Sequence, residues 1–89
     1  IIGKKCLIAA QTGIAGCVVI EDEVTLWGQV GTKSGITIHS KAVVLAQSGV
    51  GGDLESGKTY FGTPAEESRE KFKQLVYIKR IPEIIEKLK

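Results

Sequence analysis

Every sixth residue through the first 54 positions is apolar, with one exception. The series runs Ile2, Ile8, Ile14, Ile20, Leu26, Thr32, Ile38, Val44 and Val50. A second series, four residues further on, holds Cys6, Thr12, Val18, Val24, Val30, Ile36, Ala42, Ser48 and Leu54, all small or apolar. A helix needs an apolar period near 3.6 and a half-buried strand a period of 2. A sustained period of six fits neither. It fits short strands separated by turns and stacked as a parallel β-helix of hexapeptide repeats.

Three such units close one triangular coil, so residues 1–54 predict about three coils of 18 residues. Ile2, Ile20 and Ile38 then stack along one inner edge. Ile8, Leu26 and Val44 stack along the second, and Ile14, Thr32 and Val50 along the third. Residues 55–62 read as a connecting loop, within a polar, turn-rich stretch from Gly51 to Gly62. Residues 63–89 read as a C-terminal α-helical extension. Thr63 is placed as its N-cap, Pro64 as its first position and Glu66 three after the cap. The spacing buries Phe72, Leu75, Val76 and Ile78 on one side. Pro82 is expected to end that helix and to start a second, Pro82 to Lys89, with Ile81, Ile84, Ile85 and Leu88 on its apolar side. Two such faces predict packing against the equivalent tails of an oligomer.

The 18-residue period reaches the outer surface too. IAAQTG (8–13), LWGQVG (26–31) and VLAQSG (44–49) align Gln11, Gln29 and Gln47 in one column and Gly13, Gly31 and Gly49 in another. Two readings are open. The glutamines form a hydrogen-bonded ladder with glycine supplying positive φ at corners, or the small-residue face receives a subunit or an extended ligand. Trp27 on the same surface favours a contact face, which makes Gln11, Trp27 and Gln29 candidates for a subunit interface.

Charge divides unevenly along the chain. Residues 1–64 carry five lysines and five acidic residues, and residues 65–89 carry seven Lys/Arg against five Glu. No dense basic run with interleaved aromatics marks a nucleic-acid binder. Cys6 and Cys17 form no CxxC pattern, which points to a reducing, cytoplasmic compartment. No apolar run approaches the ~20 residues of a transmembrane helix. The chain opens directly in a repeat without a capping element, so it reads as the C-terminal part of a longer protein.

Candidate chemistry is sparse. His39 is the single histidine, and one His makes neither a zinc site nor a triad, so it is read as a surface residue without a relay. Glu21, Asp22 and Glu23 are read as a solvated corner. P-loop, GxGxxG and GxSxG motifs are absent. These residues contain no complete active site, no metal site and no cofactor site.

The segments IGKKCLIAAQTGIAG, LWGQVG and VVLAQSGV, followed by YFGTPAEE and its Gly62-Thr63-Pro64 junction, resemble one family over the whole chain. They are similar to the C-terminal portion of the UDP-3-O-(3-hydroxyacyl)glucosamine N-acyltransferases of lipid A biosynthesis (LpxD). The resemblance implies a left-handed β-helix that assembles as a homotrimer. It implies transfer of a 3-hydroxyacyl group from acyl carrier protein to the 2-amino group of UDP-3-O-acylglucosamine, with a histidine as general base. That histidine and the uridine-binding domain would lie upstream of Ile1, which leaves these 89 residues inactive alone. By position, Gln47, Gly49 and Gly51 would line the far end of the acyl-chain groove. Arg69, Lys71, Lys73, Lys79 and Arg80 would meet the acidic carrier protein, or else form a solvated face with pairs such as Glu67–Lys71. Other hexapeptide O-acyl- or acetyltransferases, and a non-catalytic β-helix assembly module, are the alternatives. A γ-class carbonic anhydrase needs three zinc-binding histidines and this chain has one, so that reading fails unless the missing part supplies the rest.

Overall fold

In the computed structural model, which describes residues 1–89, the first two-thirds of the chain winds as a parallel β-helix. Its strands are two residues long, as the six-residue period requires. One wall stacks β1 (Leu7–Ile8), β3 (Thr25–Leu26), β6 (Val43–Val44) and β8 (Thr59–Phe61). The second pairs β2 (Val19–Ile20) with β5 (Thr37–Ile38), and the third pairs β4 (Gly31–Thr32) with β7 (Gly49–Val50). Ile20 aligns with Ile38, Leu26 with Val44 and Thr32 with Val50, so the three predicted inner columns are present. The interior is aliphatic: Ile20, Val24, Leu26, Val30, Ile38 and Val44 are all but sealed from solvent. In the first coil, Ile2 and Ile8 remain partly exposed because only one side of that coil is covered.

The corners correct one expectation. Positive φ falls not on Gly13, Gly31 and Gly49 but on the residue just before the second inner slot: Lys5, Gln11, Cys17, Glu23, Gln29, Gly35, Lys41 and Gln47. For a residue with a Cβ that conformation costs roughly 1–2 kcal/mol. The stack offsets the cost, since each such N–H from the second coil onward donates to a carbonyl one coil below: Glu23 to Lys4 (2.8 Å), Gln29 to Ala10 (3.0 Å) and Gln47 to Gly28 (2.9 Å). Gly13, Gly31 and Gly49 instead lie on the outer face of the third wall, bridged to one another.

The predicted loop is mostly a shortened fourth coil. Leu54 aligns with Ile38 and Thr59 with Val43, both 16 residues apart instead of 18. Leu54 is therefore buried in the first inner column, two residues ahead of the hexapeptide phase. Asp53 fills the local mismatch by accepting the Thr37 N–H through its carboxylate at 2.8 Å.

The tail also departs from expectation. Thr63–Pro64 is a cis peptide in a turn, not a helix start. The chain reverses through Gly62 (φ 98°), and β9 (Glu66–Glu67) pairs antiparallel with β8. That pairing satisfies the open edge of the last coil, which wins over the capping sequence at Thr63. One helix, α1, then runs from Ser68 to Leu88 with Pro82 inside it. Proline leaves the Ile78 carbonyl without an intrahelical donor. Ile78 is more than half exposed, so the loss of that one bond falls on the solvent side of the chain and the helix continues through Pro82. No helical residue is buried: Phe72, Leu75, Val76 and Ile78 remain open in the single chain. The molecule is a rod with extents of 55 × 21 × 21 Å.

Candidate functional site

The three walls present chemically different outer faces. On the β1–β3–β6–β8 wall, Leu7 and Trp27 project as half-exposed apolar groups. The Trp27 carbonyl accepts the Thr12 hydroxyl at 3.2 Å, which ties this wall to the next corner. At that corner the glutamine column forms a real ladder between two of its members, with Gln47 Nε2 donating to Gln29 Oε1 at 2.9 Å. Gln11 continues the column one coil below and is exposed.

The glycine face is open at Gly13, Gly31 and Gly51, where an added Cβ would meet nothing within 4 Å. Gly49 is different. A Cβ there would lie 3.0 Å from Thr63 Cγ2, and its carbonyl accepts the Ala65 N–H at 2.8 Å. The tail of the same chain thus rests on Gly49. Of the three groove candidates, Gln47 and Gly51 are exposed and Gly49 lies under Thr63.

The tail is fastened by a small polar cluster. Ser48 is the one buried polar residue; its hydroxyl donates to the Leu45 carbonyl (2.7 Å) and accepts the Gly62 N–H (3.1 Å). Lys71 lays its methylene stem over Gly62 and pairs with Glu66 at 3.2 Å, and Gln74 donates to the other Glu66 oxygen at 3.0 Å. Hydrogen bonds from Lys71 and then Gln74 hold the Glu66 carboxyl below its ordinary pKa. The expected Glu67–Lys71 pair is thus replaced by Glu66–Lys71, while Glu67 faces Lys58 at 3.8 Å. The strand β9 sets this exchange, because it turns Glu66 and Glu67 onto the last coil instead of into a helix.

Among the basic candidates, Lys71 is turned inward, whereas Arg69, Lys73, Lys79 and Arg80 lie on the exposed helix. Lys73 pairs with Glu70 at 3.6 Å and Arg80 with Glu83 at 3.7 Å. Arg69 and Lys73 border a shallow groove of about 330 Å³ floored by Phe72, Val76 and Tyr77. Phe72 stacks at a tilt on Phe61, ring centroids 5.4 Å apart, which joins this groove to the last coil.

His39 is less isolated than its sequence neighbours suggest. Its Nδ1 lies 3.2 Å from Glu21 Oε1, which also accepts the Ser40 N–H at 3.1 Å and the Ser40 hydroxyl at 3.4 Å. Glu21 and His39 are 18 residues apart, and that coil period was the signal that connects them. The contact links adjacent coils. No group of three His, Cys, Asp or Glu side chains is arranged to hold a metal ion.

No protein-family model matches the chain. A UDP-3-O-acylglucosamine N-acyltransferase of Methylobacterium nodulans is 40% identical over 91% of this chain and 23% of its own length. The same-named protein of Methylococcus capsulatus is 31% identical over 99% of this chain and 25% of its own length. The chain belongs to the UDP-3-O-acylglucosamine N-acyltransferase family. It spans about a quarter of the length of these curated relatives. Campylobacter lari has another member, 40% identical over 71% of the chain and 20% of its own length. Among solved structures, a hexapeptide-repeat acetyltransferase of Vibrio cholerae, complexed with acetyl coenzyme A, superposes with a TM-score of 0.69. It is 28% identical and covers 72% of this chain and 45% of its own. The fold is accordingly a left-handed parallel β-helix followed by a helix.

Proposed function

We propose that this chain is the C-terminal part of an acyltransferase that moves a 3-hydroxyacyl group from acyl carrier protein to the 2-amino group of UDP-3-O-acylglucosamine. The observation that carries this reading is the 40% identity over 91% of the chain to a relative of that name. The amine must lose a proton as it attacks the thioester, which calls for a general base. In this reading His39, hydrogen-bonded to Glu21, is not that base; the base lies upstream and these 89 residues are inactive alone.

The chain's own contribution is then positional. Gln47 and Gly51, with Gly49 beneath Thr63, form the far end of the acyl groove. Arg69, Lys73, Lys79 and Arg80 offer cations to an acidic carrier protein. Lys71 contributes by fastening the helix. Gln11, Trp27 and Gln29 lie against a neighbouring subunit of a homotrimer working in the cytoplasm. No helix of the chain is long and apolar enough to cross a membrane.

A second reading, a hexapeptide acetyltransferase using coenzyme A, is favoured by the Vibrio cholerae structure. The full-length gene product assayed with 3-hydroxyacyl carrier protein and with acetyl coenzyme A separates the two. Transfer from the carrier protein to UDP-3-O-acylglucosamine supports the first, and transfer from acetyl coenzyme A alone the second.

A further inference from the structure

The first residue of each strand points outward, since the second fills the inner column and successive side chains alternate. On the first wall that position holds Leu7, Thr25 and Val43, and on the second Val19 and Thr37. On the third wall it holds only glycine: Gly13, Gly31 and Gly49. A lane without side chains therefore runs along this wall over three coils, spaced about 4.8 Å apart. Glycine weakens a strand and marks a place where another group comes close to the backbone.

At Gly49 the group that comes close belongs to the tail. The Gly49 N–H donates to the Gly62 carbonyl at 2.9 Å, and the Gly49 carbonyl accepts the Ala65 N–H at 2.8 Å. Thr63 lies between those two anchors, with Cγ2 3.0 Å from where a Gly49 Cβ would stand. The Gly62 N–H is fixed in turn by the buried Ser48 hydroxyl at 3.1 Å. Threonine is branched at Cβ and so stiff about χ1. The space over Gly13 and Gly31 is empty to 4 Å, whereas the same space over Gly49 is filled by this braced side chain. The lane is open at the first two coils and closed at the third.

We propose that Thr63 is the stop that sets the longest acyl chain this protein accepts. The proposal rests on the reading above, in which the acyl chain lies along this face with its reacting end upstream of Ile1. An alkyl chain laid over Gly13 and Gly31 meets the Thr63 methyl at the next coil. Going further means displacing Thr63 against the two backbone bonds that brace it, or turning the terminal carbons into water. The stop is carried by the tail, laid over a coil position that has no side chain of its own to halt the chain.

The test is steady-state acyl transfer by the full-length gene product, with a series of 3-hydroxyacyl chain lengths on the carrier protein. It compares Thr63→Ala, Thr63→Leu and Gly31→Met with the unsubstituted protein. Thr63→Ala should raise kcat/KM for a chain about two carbons longer than the preferred one, relative to the preferred one, by about tenfold. Thr63→Leu should move the preference the opposite way. Thr63 is exposed, so both variants keep the fold, which thermal unfolding checks. Gly31→Met fills the open lane one coil earlier and should shorten the accepted chain further. Shortening by Gly31→Met with an unchanged profile in both Thr63 variants overturns the stop and leaves the groove standing. So does a rate loss in the Thr63 variants that is equal at every chain length, the mark of a merely structural residue. An unchanged profile in Gly31→Met takes the acyl chain off this face and overturns groove and stop together.

Discussion

Lys71 crosses Gly62 to reach Glu66, and with the Gln74–Glu66 hydrogen bond and the Phe61–Phe72 stack this contact seats a 21-residue helix that has no fully buried residue. Gly62 is held at φ 98°, and a Cβ there would collide with the Lys71 stem. Gly62→Ala should therefore lower stability by about 1–3 kcal/mol, combining a left-handed conformation with that clash. Lys71→Ala should cost less, because the ion pair is partly solvated. Denaturant unfolding of both variants checks the order, and a larger loss for Lys71→Ala contradicts it.

The same cluster has an acid limit. The Glu66 carboxyl is held below its ordinary value by Lys71 and Gln74, so its stabilisation is complete above the ordinary carboxylate range. It is lost as pH falls through the lower folded-state value. Thermal unfolding between pH 6 and pH 3 should show this loss in the native chain and a shallower one in Glu66→Gln. Identical slopes would remove Glu66 from the account.

Ser48 is predicted to matter beyond its size. It occupies an inner slot where the coil below has Val30, yet its hydroxyl bridges the Leu45 carbonyl and the Gly62 N–H. Ser48→Ala should destabilise by about 1–2 kcal/mol by leaving the Gly62 N–H unpaired. Ser48→Val, which matches the coil below, should not recover the loss. A neutral Ser48→Ala would show that water reaches Gly62.

For the full-length protein, Gly51→Met should shift preference toward shorter acyl chains, since Gly51 is open and a longer side chain would occupy the groove end. Gly49→Met is the poorer probe, because its side chain first meets Thr63 of the same chain. An unchanged chain-length profile in Gly51→Met would remove this position from the groove.

The coils were legible because their cause is local and periodic: each inner slot needs a branched aliphatic group every sixth residue, and Ile20, Leu26 and Val44 display it directly. The corners were not, since positive φ at Gln29 and Gln47 is supported by hydrogen bonds donated to the coil below and not by residue type. The tail was misread for the opposite reason. Thr63-Pro64 carries good helix-start residues, but the unpaired edge of β8 captured Glu66 and Glu67 as a strand. Pro82 reads as a break in the sequence, yet an exposed helix tolerates the loss of one hydrogen bond and α1 continues through it. The Glu21–His39 contact joins residues one coil apart and was hidden to a reading confined to near neighbours.

The most direct test of the central claim is acyl transfer by the full-length gene product, with 3-hydroxyacyl carrier protein as donor and UDP-3-O-acylglucosamine as acceptor. The 89-residue chain and full-length His39→Ala serve as controls. The account predicts transfer by the full-length protein, none by the 89-residue chain, and near-native transfer by His39→Ala. Absence of transfer by the intact protein, or its abolition in a folded His39→Ala variant, would contradict it.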